Sequence, residues 1–483
     1  MKVCFITSEC VPFVKTGGLA DVSGSLPVAL SNLGCKVKIF LPLYDLIDIN
    51  RHNLKIISEF KNNIVQVGEK KKTFNLFYGK LPDSNVEVYF IDCSEYYNRR
   101  KVYTDDEDED ERFIFFQNAV LITLPKLQWS PDIMHCNDWQ ASLIPVYLKT
   151  NFDRDSLFSE TATLLSIHNI GYQGRFPKET LLKANLSYKN YYPDGPYELD
   201  DSFCFLKTGI MYSDIISTVS PTYAKEIQTS EFGAGLDNVL RDRKNDLYGI
   251  LNGIDTKAWN PETDKIIPYN YTYENLDNKQ KNKKELLKFC GLIYEEDTPV
   301  IGIVSRLAWQ KGFELLVPIF DELMEQKLKI VILGDGEKKY EDFFRKVSLK
   351  YADKVFLYIG YNNELAHLIT AGSDMFLMPS RYEPCGLNQM YSLNYGTVAI
   401  VRKTGGLADT VIDYDENKVS GNGFSFDAFE PTELLSAIKR ALNLYEQKDK
   451  WNEIMKRGMQ EDFSWAHSAR EYLRVYEKAK KSV

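Results

Sequence analysis

The peptide Lys-Thr-Gly-Gly-Leu-Ala-Asp occurs twice, as Lys15 to Asp21 and as Lys403 to Asp409. Paired glycines permit positive φ and leave backbone amides uncovered, a helix starting there adds a partial positive charge, and lysine adds a mobile cation. Together these suit an anionic oxygen such as phosphate. A competing use for Gly17-Gly18 and Gly405-Gly406 is tight packing of a turn against its strand. Seven identical residues point to two similarly built halves. Neither copy is G-x-G-x-x-G and no G-x-x-x-x-G-K-[ST] is present, so NAD binding and P-loop ATP hydrolysis lack their motifs.

Three further groups could do chemistry. Ser-Arg-Leu-Ala-Trp-Gln-Lys-Gly carries Arg306 and Lys311. A guanidinium fork and a point charge this close could clamp a diphosphate and stabilise charge growing on a departing nucleotide. Pro-Ser-Arg-Tyr-Glu-Pro-Cys-Gly-Leu places Glu383 beside a turn containing Cys385, Gly386, Leu387 and Asn388. That arrangement suits sugar hydroxyls on the carboxylate and phosphate on the amides, and a structural helix-cap role is the alternative. Cys385 has no local histidine to make it a nucleophile and is read as packing. Asn137-Asp138-Trp139 and His168-Asn169 complete the set.

These groups need elements to hold them. Val3 to Thr7, Val37 to Leu41, Val86 to Ile91, Ile133 to Asn137, Leu164 to His168 and Ile215 to Val219 read as buried strands alternating with helical stretches. A polar stretch from Tyr269 to Lys284 follows, and the pattern restarts with Val300 to Val304, Lys329 to Leu333, Val355 to Tyr358, Met375 to Met378 and Val398 to Val401. The fold class expected is α/β, as two facing Rossmann-like domains with an active-site cleft between them. In such sheets ligands bind at the carboxyl ends of the strands, where every candidate group falls.

With 483 residues the chain exceeds one core, and a net charge of -9 argues against a nonspecific nucleic-acid binder. Its eight cysteines are scattered singly, without zinc-ligand spacing, and no metal site is expected. The acidic run Asp105 to Glu111 lacks the glycine and spaced ligands of a calcium loop and reads as solvated. No signal-peptide core or membrane span is evident, so a cytoplasmic location is expected.

The motifs together resemble the glycogen and starch synthase family of retaining glycosyltransferases, over nearly the whole chain. The match includes Lys15 to Asp21, His135 to Trp139, Ile167-His168-Asn169, Val219 to Ala224, Leu251 to Asp255, Glu383 to Leu387 and the second heptapeptide. The resemblance implies two facing domains, the GT-B arrangement, and transfer of glucose from ADP-glucose to the nonreducing end of an α-1,4-glucan, without metal or cofactor. It further implies that Lys15 and Gly18 contact the donor phosphates, Arg306 and Lys311 neutralise the leaving diphosphate, and Glu383 holds hydroxyls of the glucose. His168 would lie over the sugar, and Asp138, Asn169 and Asn252 would complete its pocket. Tyr97 would stack near the nucleobase, and Gly405-Gly406 would bind sugar or phosphate. Asn388 stands where many relatives have Thr, which alters contacts beside the diphosphate turn. Implied domains are 1–248 and 249–457, with a helix over 458–483 crossing back to the first.

No carboxylate pair of the kind a retaining hydrolase uses is evident, which favours front-face displacement with the departing diphosphate taking the acceptor proton. Three alternatives stay open: another transferase of this architecture, using UDP-glucose or resembling sucrose synthase; a phosphorylase; or a noncatalytic two-lobed sugar-binding protein.

Overall fold

The computed structural model describes residues 1–153 and 155–482. The chain divides into two compact units, one of residues 1–253 and 465–483, the other of residues 254–464.

The first unit is built on a ten-stranded sheet. Its parallel part runs, in spatial order, Leu247–Gly249, Ile215–Thr218, Ala162–Ile167, Ile133–Asn137, Lys2–Ile6, Lys36–Pro42 and Glu87–Asp92. Lys70–Lys80 extends this edge antiparallel, and Lys55–Ile56 and Asn63–Val67 pair with it. The central strands are buried along nearly their whole length, because helices cover both faces of a parallel sheet. Order reverses between Lys2–Ile6 and Ile133–Asn137, which opens a crevice at their carboxyl ends.

The second unit carries a six-stranded, wholly parallel sheet in the order Val355–Ile359, Lys329–Gly334, Val300–Val304, Met375–Met378, Val398–Arg402, Gly423–Phe426. Numbered along the chain this is 3-2-1-4-5-6, the Rossmann order, with its reversal between Val300–Val304 and Met375–Met378. Ile301, Ile303, Ile330, Ile332, Leu377 and Ile400 from these strands pack with Leu434, Ile438 and Trp451 into one core.

Helix Trp465–Lys480 belongs to the first unit, where it packs on helix Gly18–Asn32 and the strands Ile133–Asn137 and Ala162–Ile167. It buries Trp465, Ser468, Ala469, Tyr472, Val475, Tyr476 and Ala479, one stripe at helical spacing. The Tyr476 hydroxyl lies 2.7 Å from Nδ1 of the fully buried His135, and Lys480 pairs with Asp132 at 2.6 Å.

One segment differs from its sequence-based reading. Within the acidic run only Asp105, Asp106 and Glu107 are exposed, and Glu109, Asp110 and Glu111 are buried in the first turn of helix Glu109–Lys126. Each has a partner: Glu109 pairs with Arg112, Asp110 with Lys183 at 3.0 Å, and Glu111 with Lys70 at 2.9 Å. Acidic groups favour a helix N-terminus, and pairing removes the cost of burying them. The polar stretch Tyr269 to Lys284 runs into helix Asp277–Phe289, whose Lys283 forms a buried pair with Asp374 at 2.7 Å. Lys279 donates to Thr397 and the Ala371 carbonyl, and burial pushes its ammonium down to about 7.

Candidate functional site

In the second unit the strand-order reversal collects one candidate group. Strand Val300–Val304 leads into Arg306 and Lys311, and Met375–Met378 leads into Glu383. Lys311 Nζ lies 2.6 Å from Glu383 Oε2, and the Ser380 hydroxyl donates to the same oxygen at 3.0 Å. Glu383 is 5% exposed, yet Oε1 has no partner among the described residues. A buried carboxylate with one oxygen neutralised and the other open can accept hydroxyl donors. Arg306 is exposed, and its side chain makes one long contact among the described residues, 3.5 Å to Gln310 Oε1. Asn388 donates to the Val304 carbonyl at 2.7 Å and ties the turn of Cys385, Gly386 and Leu387 to the neighbouring strand.

The two heptapeptides serve different ends. Gly405 has φ of 44°, and a Cβ there would fall 1.9 Å from the Glu383 carbonyl oxygen. One on Gly406 would fall 2.1 Å from that of Cys385. The Gly406 amide donates to the carbonyls of Glu383 and Pro384, at 3.1 Å each. The Gly405-Gly406 pair fits closely under the Glu383 turn, and the Gly406 amide is engaged there. At Gly17 and Gly18 a Cβ would meet nothing within 4 Å. The first copy presents an open face at the start of the fifteen-residue helix Gly18–Asn32. Lys15 pairs with Asp21 at 2.7 Å in an exposed position, and Lys403 lies 3.8 Å from Asp427.

The first unit places Asp138 and His168 at the ends of neighbouring strands. Asp138 has φ of 53° and ψ of -170°, a conformation that costs a non-glycine residue of order 1–3 kcal/mol. It directs a carboxylate that accepts the His168 amide at 2.7 Å, supported by the Asn169 amide. Burial outweighs those bonds and, with a smaller contribution from the charge of Glu9, pushes the Asp138 carboxyl up to about 7. The His168 ring places Nε2 2.9 Å from Asn137 Oδ1, and Asn137 uses its amide nitrogen on the Ile6 carbonyl. Nε2 therefore carries the proton, leaving Nδ1 as an acceptor. Burial pushes His168 down to about 4, so the ring is neutral near pH 7. Asn169 Oδ1 accepts the Gly171 amide at 3.0 Å. Asn252 is 6% exposed, and its Oδ1 has no partner among the described residues.

Tyr97 departs from the nucleobase-stacking expectation. It is fully buried, its ring meets Tyr44 edge-on at 5.6 Å, and its hydroxyl donates to the Arg112 carbonyl at 3.1 Å. No ring face is open to a nucleobase. Motif reading also passed over Glu9, whose carboxylate accepts the amides of Thr16 and Gly17. The available signal was a carboxylate just beyond a strand and ahead of a glycine pair.

Residues 2–242 match the starch synthase catalytic domain, and residues 289–457 match glycosyl transferases group 1. The glycogen synthase of Thermosipho melanesiensis is 46% identical over 99% of both chains, and that of Thermotoga maritima 47% over 99% of both. Among solved structures, the catalytic domain of starch synthase IV from Arabidopsis thaliana, bound to ADP and acarbose, superposes with a TM-score of 0.92 at 33% identity, covering 99% of both chains. Sucrose-phosphate synthase from Thermosynechococcus elongatus, at 16% identity and a TM-score of 0.61, shares the fold. With relatives this similar along its full length, and with Rossmann-like sheets of the GT-B type, the chain belongs to the glycogen and starch synthase family of hexosyltransferases.

Proposed function

We propose that this chain transfers glucose from ADP-glucose to the nonreducing end of an α-1,4-glucan with retention of configuration. The observation that carries the reading is the Lys311–Glu383 pair at the strand-order reversal of the six-stranded sheet, where Arg306 also follows strand Val300–Val304. Glu383 Oε1 holds hydroxyls of the transferred glucose while Oε2 keeps Lys311 in place. Lys311 and Arg306 stabilise the diphosphate as the glycosidic bond to it breaks. The departing phosphate oxygen takes the proton of the acceptor hydroxyl, which attacks from the same face. Lys15 and the Gly18 amide bind the donor phosphates. His168, neutral and fixed through Asp138, offers its backbone carbonyl or Nδ1 to the sugar, and Asn169 and Asn252 add contacts. Cys385, Gly386, Leu387 and Asn388 shape the diphosphate turn.

ADP is taken as the nucleotide because the Arabidopsis relative was solved with it. The cysteines, all unpaired among the described residues, suit a reducing cytoplasm. Radiolabel transfer to glycogen from ADP-glucose and UDP-glucose in parallel, with EDTA present, tests the reading. Incorporation from ADP-glucose in EDTA is expected. Incorporation from neither donor overturns the reading, and a clear preference for UDP-glucose overturns the choice of nucleotide.

A further inference from the structure

Glu9 follows strand Lys2–Ile6 and is 3% exposed. Its Oε2 accepts the Thr16 amide and, at 3.0 Å, the Gly17 amide. Its Oε1 accepts the Tyr103 hydroxyl at 2.6 Å, and that hydroxyl lies 2.8 Å from Ser8 Oγ. Among the described residues no lysine, arginine or histidine forms an ion pair with this carboxylate. Burying an unpaired charge is costly unless oriented donors replace the lost water, and two amides and a phenol do so here. A buried carboxyl group thus occupies the Thr16 and Gly17 amides of the loop that would bind the donor phosphates.

The outer face of Gly17 and Gly18 is open, so side-chain packing does not hold the loop there. Glu9 reaches it from beneath. We propose that Glu9 is the positioning residue of this loop, capturing the Thr16 and Gly17 amides so that Lys15 and the Gly18 amide are presented to the donor diphosphate. The proposal rests on the reading of residues 15–18 as the donor-phosphate loop. In this role the oxygen atoms matter and the charge does not. A glutamine can accept both amides through its oxygen and donate its NH₂ to Tyr103, whose hydroxyl then donates to Ser8.

The test is steady-state kinetics on the full chain, varying ADP-glucose and glycogen separately, for Glu9→Ala, Glu9→Gln, Tyr103→Phe and Lys15→Ala, with thermal melts. Glu9→Ala is expected to raise KM for ADP-glucose at least tenfold, to change kcat less, and to leave KM for glycogen within twofold. Glu9→Gln is expected within threefold of the parent, and Tyr103→Phe to raise donor KM two- to fivefold. A folded Glu9→Ala with parental donor KM overturns the proposal, as does Glu9→Gln being as impaired as Glu9→Ala. Should Glu9→Ala not fold, Tyr103→Phe decides: raised donor KM supports the proposal and unchanged donor KM overturns it. Lys15→Ala separates the two levels. If it leaves donor KM unchanged, the phosphate-loop reading itself fails; if it raises donor KM while Glu9→Ala does not, only the role of Glu9 fails.

Discussion

Gly406 donates its amide to the Glu383 carbonyl oxygen at 3.1 Å, so the second heptapeptide supports the turn that carries the candidate sugar-binding carboxylate. The first heptapeptide, identical in sequence, faces open space at its glycines. The same residues thus perform a packing task in one unit and leave the glycine face of the turn open in the other.

Alanine at the two sites should separate these tasks. Gly406→Ala drives a methyl into the Cys385 carbonyl, and displacement of the Glu383 turn is expected to cut kcat by 100-fold or more, with a lowered melting temperature. Gly18→Ala meets nothing, so its melting temperature should match the parent while donor KM rises. Activity and melting assays on the pair check both outcomes, and a lowered melting temperature in Gly18→Ala would contradict the open face.

Lys311→Ala should lower kcat by about 10² to 10³ and leave KM for glucan nearly unchanged, because the lost cation acts on the leaving diphosphate. It also strands a Glu383 side chain only 7% exposed, at a cost of about 3–5 kcal/mol. Adding Glu383→Gln should restore much of the stability and none of the activity. A double-mutant cycle in denaturant measures the first, and radiolabel transfer the second.

The two lysines of the repeat should be unequal. Lys15→Ala is expected to raise donor KM about tenfold or more. Lys403→Ala should leave activity within twofold, since that side chain is half-exposed and, among the described residues, pairs only with Asp427, at 3.8 Å. Equal losses would show that the second copy also reaches the substrate.

Asp138 links stability to pH. Its carboxyl ionises near pH 3.8 when unfolded and near 7 when folded, so the native state binds the extra proton between these values and stability falls as pH rises through that window. Asp138→Asn keeps acceptors for the His168 amide and removes the ionisation. It should raise the melting temperature at pH 8, by up to about 4 kcal/mol of stability, and give no such gain near pH 4. Scanning calorimetry at both values checks the sign.

Much of this protein was legible from local sequence. Buried β-branched strands, glycine turns after them and polar residues at their carboxyl ends are short-range patterns, and they singled out Arg306, Lys311, Glu383, Asp138 and His168 as candidates. What Glu9, Tyr97 and Gly406 do depends on partners far along the chain. Glu9 is defined by Tyr103 as well as by the loop, Tyr97 by Arg112 and Tyr44, and Gly406 by Glu383 and Cys385. The buried half of the acidic run looked solvated because its counter-charges, Lys70 and Lys183, are remote in sequence.

The sequence by itself determined two α/β halves, each with a Lys-Thr-Gly-Gly turn, since periodicity and glycine placement act over a few residues. Only the tertiary structure decided that one turn is open and the other sits against a neighbouring turn. Identical peptides have identical local preferences, and the atoms across from them, Glu9 beneath the first and the Glu383–Cys385 carbonyls against the second, set what each can do.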